Sequence, residues 1–261
     1  DLLGRESTVS DPSITIGYSS LVDHVGEIQL PPRRKNTEIL IAVQGGFTEI
    51  PHREDIKLIH LESIGAAQSR NQILAAATGE ILFFGDDDME WSQEGMTSII
   101  DYFAKNNNVD LILGQAIDEN SHLRKRYFKG KRRLSRFNAA KAATYEIAIR
   151  TKSFREKSIK FNESFGAGTE NYLGDEYIFI SDACANGLIC EFIPVVVAIH
   201  PSDSSGTKFG TMEDTKVRSM VFQEVFGRVA PFARLGFVLK DPLRFRSLFL
   251  IMRFVLGRFP K

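Results

Sequence analysis

Apolar positions along the chain follow two rhythms. Short continuous runs at 13–17 (SITIG), 38–43 (EILIAV), 56–61 (IKLIHL), 80–84 (EILFF) and 109–116 (VDLILGQA) have the length and composition of buried strands. Between them, residues 66–77 carry a helical pattern stopped by Thr78-Gly79, and Ser92 is placed to cap a second helix reaching about Lys105. This alternation predicts an α/β fold with a mostly parallel central sheet flanked by helices. Ligands of such sheets bind outside the carboxyl ends of the strands. The second half is less regular. Residues 121–138 form a polar, basic loop, 144–149 (TYEIAI) a strand, 174–185 a helix stopped by Gly187, 188–199 a long β run bent at Pro194, and 212–226 a helix. The tail from Arg228 mixes arginine with phenylalanine and leucine.

The chain has 261 residues, 43% of them hydrophobic and 25% charged, which suits one large globular α/β domain or a domain with an appendage. Its formal net charge is zero, so bulk electrostatics offers nothing to a nucleic-acid partner. Cys184 and Cys190 form no CxxC pattern and are expected to be reduced thiols, as in a reducing cytoplasm. Residues 1–13 contain no apolar signal core, and no apolar run approaches the roughly 20 residues needed to span a bilayer. The expected location is therefore cytoplasmic.

The fourth apolar run ends in Asp86-Asp87-Asp88. Adjacent carboxylates repel one another, so something cationic has to offset them. Hard divalent ions take carboxylate oxygens and still leave positions for phosphate. A solvated acidic turn capping the next helix is the bland alternative, and the position at the end of a buried strand counts against it.

The upstream segment GAAQSRNQILAAATGEILFFGDDD, residues 65–88, closely resembles glycosyltransferase family 2 and other GT-A enzymes. In those, a small-residue turn, an Arg-Asn element, a helix, Ala-x-Gly and a strand lead to an Asp-x-Asp motif. Ser69-Arg70-Asn71, Ala77-Thr78-Gly79 and Asp86-Asp87-Asp88 match these parts in turn. The resemblance spans roughly 13–206 and implies a Rossmann-like GT-A fold with a helical C-terminal tail. It implies that Asp86 and Asp87 bind the nucleotide-sugar, that Asp88, with Asp86, holds a divalent metal (Mn2+ or Mg2+), and that Arg70 contacts the donor nucleotide. Tyr18 and Ser19, after the first strand, become pocket candidates. Gln44 stands where the family usually has a base-reading carboxylate; an amide can also hydrogen-bond a base edge, and uridine is the expected base.

Residues 161–187 hold a second acidic pair. Gly174-Asp175-Glu176 resembles the family's Gly-Glu-Asp or Gly-Glu-Glu motif, which supplies the base that deprotonates the acceptor hydroxyl. Glu176 is the expected base with Asp175 as its rival, and the helix dipole alone would also favour acids there. Phe165 and Tyr172 are candidates for an acceptor pocket or for plain packing. His200, at the end of a β run, resembles the His-Pro-x-x-Ser-Ser segment of some bacterial capsule and lipopolysaccharide glycosyltransferases. That implies a metal ligand at His200 and diphosphate contacts at Ser204 and Ser205.

Two stretches are strongly basic. Residues 122–137 hold Arg124, Lys125, Arg126, Lys129, Lys131, Arg132, Arg133 and Arg136 with no acid, and 228–261 carries Asp241 as its one acid among eight cations. Basic segments rich in apolar residues lie in membrane interfaces. Peripheral association with an anionic membrane surface is expected, on the inner face of the cytoplasmic membrane. The chain divides into a nucleotide-sugar-binding half (1–116), an acceptor-binding half (117–210) and a basic amphipathic tail (211–261). The expected reaction is an inverting, metal-dependent transfer from a UDP-sugar to a glycan or lipid-linked sugar acceptor in surface-polysaccharide synthesis, without nucleic acid. A metal-dependent nucleotidyltransferase and a non-catalytic, membrane-docked sugar-binding module are the rivals.

Overall fold

A computed structural model describes residues 12–49, 53–201, 210–245 and 247–259. One mixed sheet of nine strands organises the chain. Its strands are β1 (Ile14–Leu21), β2 (Thr37–Gln44), β3 (Ile56–Leu61), β4 (Ile81–Asp86), β5 (Glu90–Trp91), β6 (Leu111–Ile117), β7 (Arg132–Arg133), β8 (Ile147–Arg150) and β9 (Cys190–Ile199). They lie in the order β3-β2-β1-β4-β8-β6-β9-β5, with β7 pairing to β9. The long ladders β1–β2, β2–β3, β1–β4 and β6–β9 are parallel, while the short ones to β8, β5 and β7 are antiparallel.

Helices α1 (Ala66–Ala76), α2 (Gln93–Lys105), α3 (Thr151–Glu156) and α4 (Asp175–Ala185) cover the sheet, and α5 (Met212–Phe226), α6 (Ala230–Lys240) and α7 (Leu248–Leu256) form the tail. Strand alternation builds a core on each face. Leu40, Ala42, Leu82 and Phe84 pack with α1 and α4 on one side. Ile39, Ile41, Ile81 and Phe83 pack with α2 on the other. The Ser92 hydroxyl accepts from the Gly95 amide at 3.1 Å and starts α2 as its sequence predicts, a cap worth about 1 kcal/mol.

Several expectations shift in detail. The run 144–149 begins with a 3-10 turn, Thr144–Glu146, before β8. The basic loop contains the two-residue β7, and its register against β9 is short because charged, exposed arginines bury nothing. Helix α3 is six residues long, too short for a clear periodic signal. The β6–β9 register shifts across Pro194, which has no N–H to donate to the ladder. The sheet draws strands from both 1–116 and 117–210, so the two halves share one scaffold. Among the described residues, no helix is long and apolar enough to cross a membrane.

Candidate functional site

The strand order reverses direction at β1: β2 and β3 lie on one side of it, β4 and the later strands on the other. Ser19 pairs in register with Asp86, and Leu21 with Gln44, so the carboxyl ends of β1, β2 and β4 meet at one place. The three aspartates there diverge. Asp86, two residues beyond Phe84 on the same face, accepts from Arg70 Nη2 at 3.0 Å. Asp87 turns the other way, accepts from the Ser20 hydroxyl at 2.7 Å and lies 3.9 Å from His24. Asp88 points outward, half exposed, with its Oδ1 3.2 Å from His200 Nε2. The repulsion inherent in the triplet is thus divided among three partners in the chain.

Arg70 lies in the middle of the site. It is 6% exposed, in the early turns of α1. Its guanidinium bonds Asp175 through Nη1 and Asp86 through Nη2, with Glu176 Oε1 3.7 Å away. Burial works against its charge, but the three carboxylates outweigh that and hold the group above its ordinary pKa. Arg70, expected to contact the donor nucleotide, is engaged within the chain by these carboxylates. Three carboxylates converge on a buried point, and the cation that compensates them is Arg70. Its Nε, buried, has no hydrogen-bond partner among the described residues. Next to it, the Asn71 amide donates to the Phe161 carbonyl and Glu163, each at 2.9 Å, and ties the segment before the acid pair to α1.

The acid pair opens α4. Gly174 takes a left-handed φ of 96° and packs against Val221, which a side chain would not permit. Gly166, with φ of 100°, lets the backbone come so close to Asp175 that an added Cβ would lie 2.8 Å from its carboxyl carbon. Asp175 is enclosed between Gly166 and Arg70. Glu176 is the more accessible of the two, with 20% of its side chain exposed, and it accepts from the Thr144 hydroxyl at 2.8 Å. Burial and the charge of Asp175 push its carboxyl up to about 7, against the opposing pull of Arg70 and Thr144. A carboxylate that exchanges a proton near neutrality is suited to general-base work.

His200 follows β9. Its Nδ1 lies 2.9 Å from the Pro201 carbonyl, an acceptor only, so Nδ1 carries the proton and donates. Nε2 then faces Asp88. Burial lowers the basicity of the ring, and the Asp88 hydrogen bond more than reverses this, so His200 titrates above its ordinary value and Asp88 below its own. The Tyr145 ring packs on His200 at 4.3 Å between centroids. Among the described residues, no group of three His, Cys, Asp or Glu side chains is arranged around a common metal position. Asp88 and His200 remain as two adjacent donors, with Nδ1 anchored to a carbonyl as in many ligating histidines. Mg2+ and similar ions are commonly held by one or two carboxylates with phosphate and water completing the shell, and Asp88 supplies one such oxygen donor beside His200. Ser204 and Ser205 lie outside the described residues.

Tyr18 and Gln44, two candidates for the nucleotide pocket, are both buried. Tyr18 is fully buried, shares the α2 face with Ile14 and Ile16, and directs its hydroxyl to the Gln29 carbonyl at 3.4 Å. Strand alternation places it on the opposite face from Ser19. Gln44 is 5% exposed, and its amide is engaged at both ends: Nε2 donates to Ser19 at 3.0 Å and Oε1 accepts from the Gly65 amide at 2.7 Å. It braces the turn into α1. Ser19 is buried against Ser69 and Gln44. Phe165 belongs to the core, and Tyr172 is half-buried.

The structure also adds residues to the site. Glu146, fully buried, accepts from Lys125 at 2.7 Å and from the Tyr127 hydroxyl at 2.6 Å, and so anchors the basic loop beside Tyr145 and His200. Burial pushes its carboxyl up despite both partners. The one signal for this in the sequence is an acid inside an apolar run.

The segment 38–169, just over half of the 261 residues, matches the model of the family described as glycosyl transferase family 2. The chain belongs to glycosyl transferase family 2. Among curated proteins, none matches it in sequence. The crystal structure of S. aureus TarS is similar at a TM-score of 0.55 and 14% identity over 82% of this chain, which spans 40% of that TarS chain. TarS 1–349 in complex with UDP gives 0.54 and 15% over 87% of this chain and 75% of that one. TarS 1–349 in complex with UDP-GlcNAc gives 0.56 and 13% over 94% and 79%. At these identities the likeness is one of fold, and the α/β, GT-A-like architecture of this family 2 chain is shared with them. The family segment holds Gln44, Arg70 and the aspartate triplet. Ser19, Asp175, Glu176 and His200 lie outside it in sequence, and the Gln44–Ser19, Arg70–Asp175 and Asp88–His200 contacts join them to it.

Proposed function

We propose that this family 2 chain transfers a sugar from a UDP-sugar to an acceptor hydroxyl with inversion, using Glu176 as the base. The observation that carries the reading is the Arg70 guanidinium, which touches Asp86 on the donor side and the Asp175–Glu176 pair on the other. It holds the end of the donor-binding strand and the base within one side chain of each other. Glu176 takes the acceptor proton as the acceptor oxygen bonds to the anomeric carbon and the bond to the diphosphate breaks. Its raised affinity for protons makes it a better base than an ordinary glutamate. Asp175, enclosed and paired to Arg70, positions the pair. Asp88 and His200, with Asp86 beside them, would hold Mn2+ or Mg2+, which when bound offsets charge on the leaving diphosphate. That the solved TarS structures include complexes with UDP and UDP-GlcNAc supports uridine as the base. The acceptor is a glycan or lipid-linked sugar of a bacterial surface polysaccharide, and the chain works as a peripheral protein at the inner face of the cytoplasmic membrane.

Thermal stabilisation by a panel of nucleoside diphosphates, with and without Mn2+, tests the donor site, since a ligand that binds only the native state raises the melting temperature. UDP is expected to stabilise in a Mn2+-dependent way, and Asp88→Ala to abolish the metal dependence. Silence toward every nucleotide overturns the reading. Retention at the anomeric carbon of the product overturns the assignment of Glu176.

A further inference from the structure

The tail helices close a core of their own. The Phe254 ring packs on Phe222, Phe237 and Phe245 at 5.5, 5.8 and 5.1 Å between centroids. Arg234, buried, donates to the Ser219 carbonyl at 2.7 Å and fastens α6 to α5. Large apolar side chains nevertheless remain outside this core. Phe232, Leu235 and Leu239 line one side of α6 at 76%, 44% and 74% exposure, Leu243 follows at 92%, and Leu248 and Met252 on α7 stand at 81% and 59%. They recur at helical spacing, so each helix turns an apolar stripe outward. The cations nearby are arranged to match. Arg228, Lys240 and Arg258 are exposed around these stripes, and Arg253 lies over the Phe249 ring at 4.5 Å. Asp241, the one acid of residues 228–261, is paired to Arg244 at 2.6 Å.

We propose that the outward faces of α6 and α7 form a docking surface for an anionic lipid bilayer, with the apolar side chains entering the acyl boundary and the cations meeting the headgroup phosphates. The proposal rests on the peripheral placement given above and names the surface responsible for it. At 1.5 Å per residue, the eleven residues of α6 and nine of α7 reach about 16 and 14 Å, half the roughly 30 Å of a bilayer core, so they lie along the interface. A second copy of the chain is the weaker occupant. A two-fold contact through this face would bring the same cations of both copies together, whereas an anionic surface neutralises them.

Co-sedimentation with vesicles tests it. The wild-type chain is expected to pellet with phosphatidylcholine vesicles containing phosphatidylglycerol, and much less with phosphatidylcholine alone. Replacing Phe232, Leu239 and Leu248 together by glutamate should weaken the interaction by at least about tenfold, since three apolar contacts become like-charge repulsions. The unliganded melting temperature checks that the variant folds. If it does not, the exposed charge set Arg228→Glu, Lys240→Glu and Arg258→Glu takes its place with the same expectation. Equal pelleting of wild type and variant would overturn the surface while leaving the peripheral placement intact. No pelleting of the wild type would overturn both, and equal pelleting with neutral lipid would overturn the anionic partner. A wild-type dimer made monomeric by the same substitutions, without vesicle binding, would assign the face to a second copy instead.

Discussion

At the carboxyl end of β4, three adjacent aspartates each find a different partner within the chain, and Arg70 answers to three carboxylates at once. On the outside of α6 and α7, a comparable number of leucines and phenylalanines face solvent. Both regions depart from an ordinary surface, but in opposite senses. In the first, charges that would repel are each compensated by a partner, so each side chain depends on its neighbours. In the second, the apolar side chains are left largely outside the tail's own core. The contrast separates residues that hold the structure while serving the site from residues available for a partner.

The largest effect should come from Arg70→Met. It leaves Asp175, Asp86 and Glu176 facing one another in a buried place, and breaking a buried pair of this kind costs about 3–5 kcal/mol. Denaturant unfolding should show that loss. A change under about 1 kcal/mol would mean that the cluster is solvated and that the contrast with the tail is weaker than described.

Glu176→Gln separates chemistry from stability. Turnover should fall about 10²–10⁴-fold, while the fold is kept because the substitution removes a like charge beside Asp175. The pH dependence carries a definite sign. With its folded pKa raised to about 7, Glu176 is protonated in the native state over a range where the unfolded chain has already ionised. Its contribution therefore makes stability fall as pH rises from the ordinary glutamate range through about 7. Over the same interval activity should rise, since the base must be unprotonated. In Glu176→Gln, both dependences should flatten. A wild-type profile with no inflection near neutrality would remove Glu176 from the role of base.

Arg234→Met should cost about 1–3 kcal/mol, because the Ser219 carbonyl loses its buried donor. Arg234 is a tail cation that belongs to the interior. Phe232→Ser should change stability by no more than about 0.5 kcal/mol, as surface substitutions usually do. A larger loss by thermal melting would show that the outward face of α6 supports the fold after all.

Much of this was legible in the residues. The apolar runs located β1 to β4 and β6, Ser92 marked the start of α2, and the motif from Gly65 to Asp88 pointed to the family and to the carboxyl end of the sheet. Strand geometry puts Tyr18 on the face of Ile14 and Ile16, with the core. Gln44 was singled out as a polar residue ending a strand, but nothing local showed that its amide would be held by Ser19 and Gly65. The run 144–149 marked β8, but its antiparallel insertion between β4 and β6 left no local trace, because a four-residue strand has the same pattern in either direction.

By itself the sequence determined the elements, the family and the chemistry available, since periodicity, capping and motif spacing act over a few neighbouring residues. Tertiary structure alone decided which groups meet. Arg70 reaches Asp175 across 105 positions, and His200 reaches Asp88 from the far end of β9. Whether a charge is compensated or an apolar side chain is covered depends on such distant contacts, which the strand order and the packing of helices create.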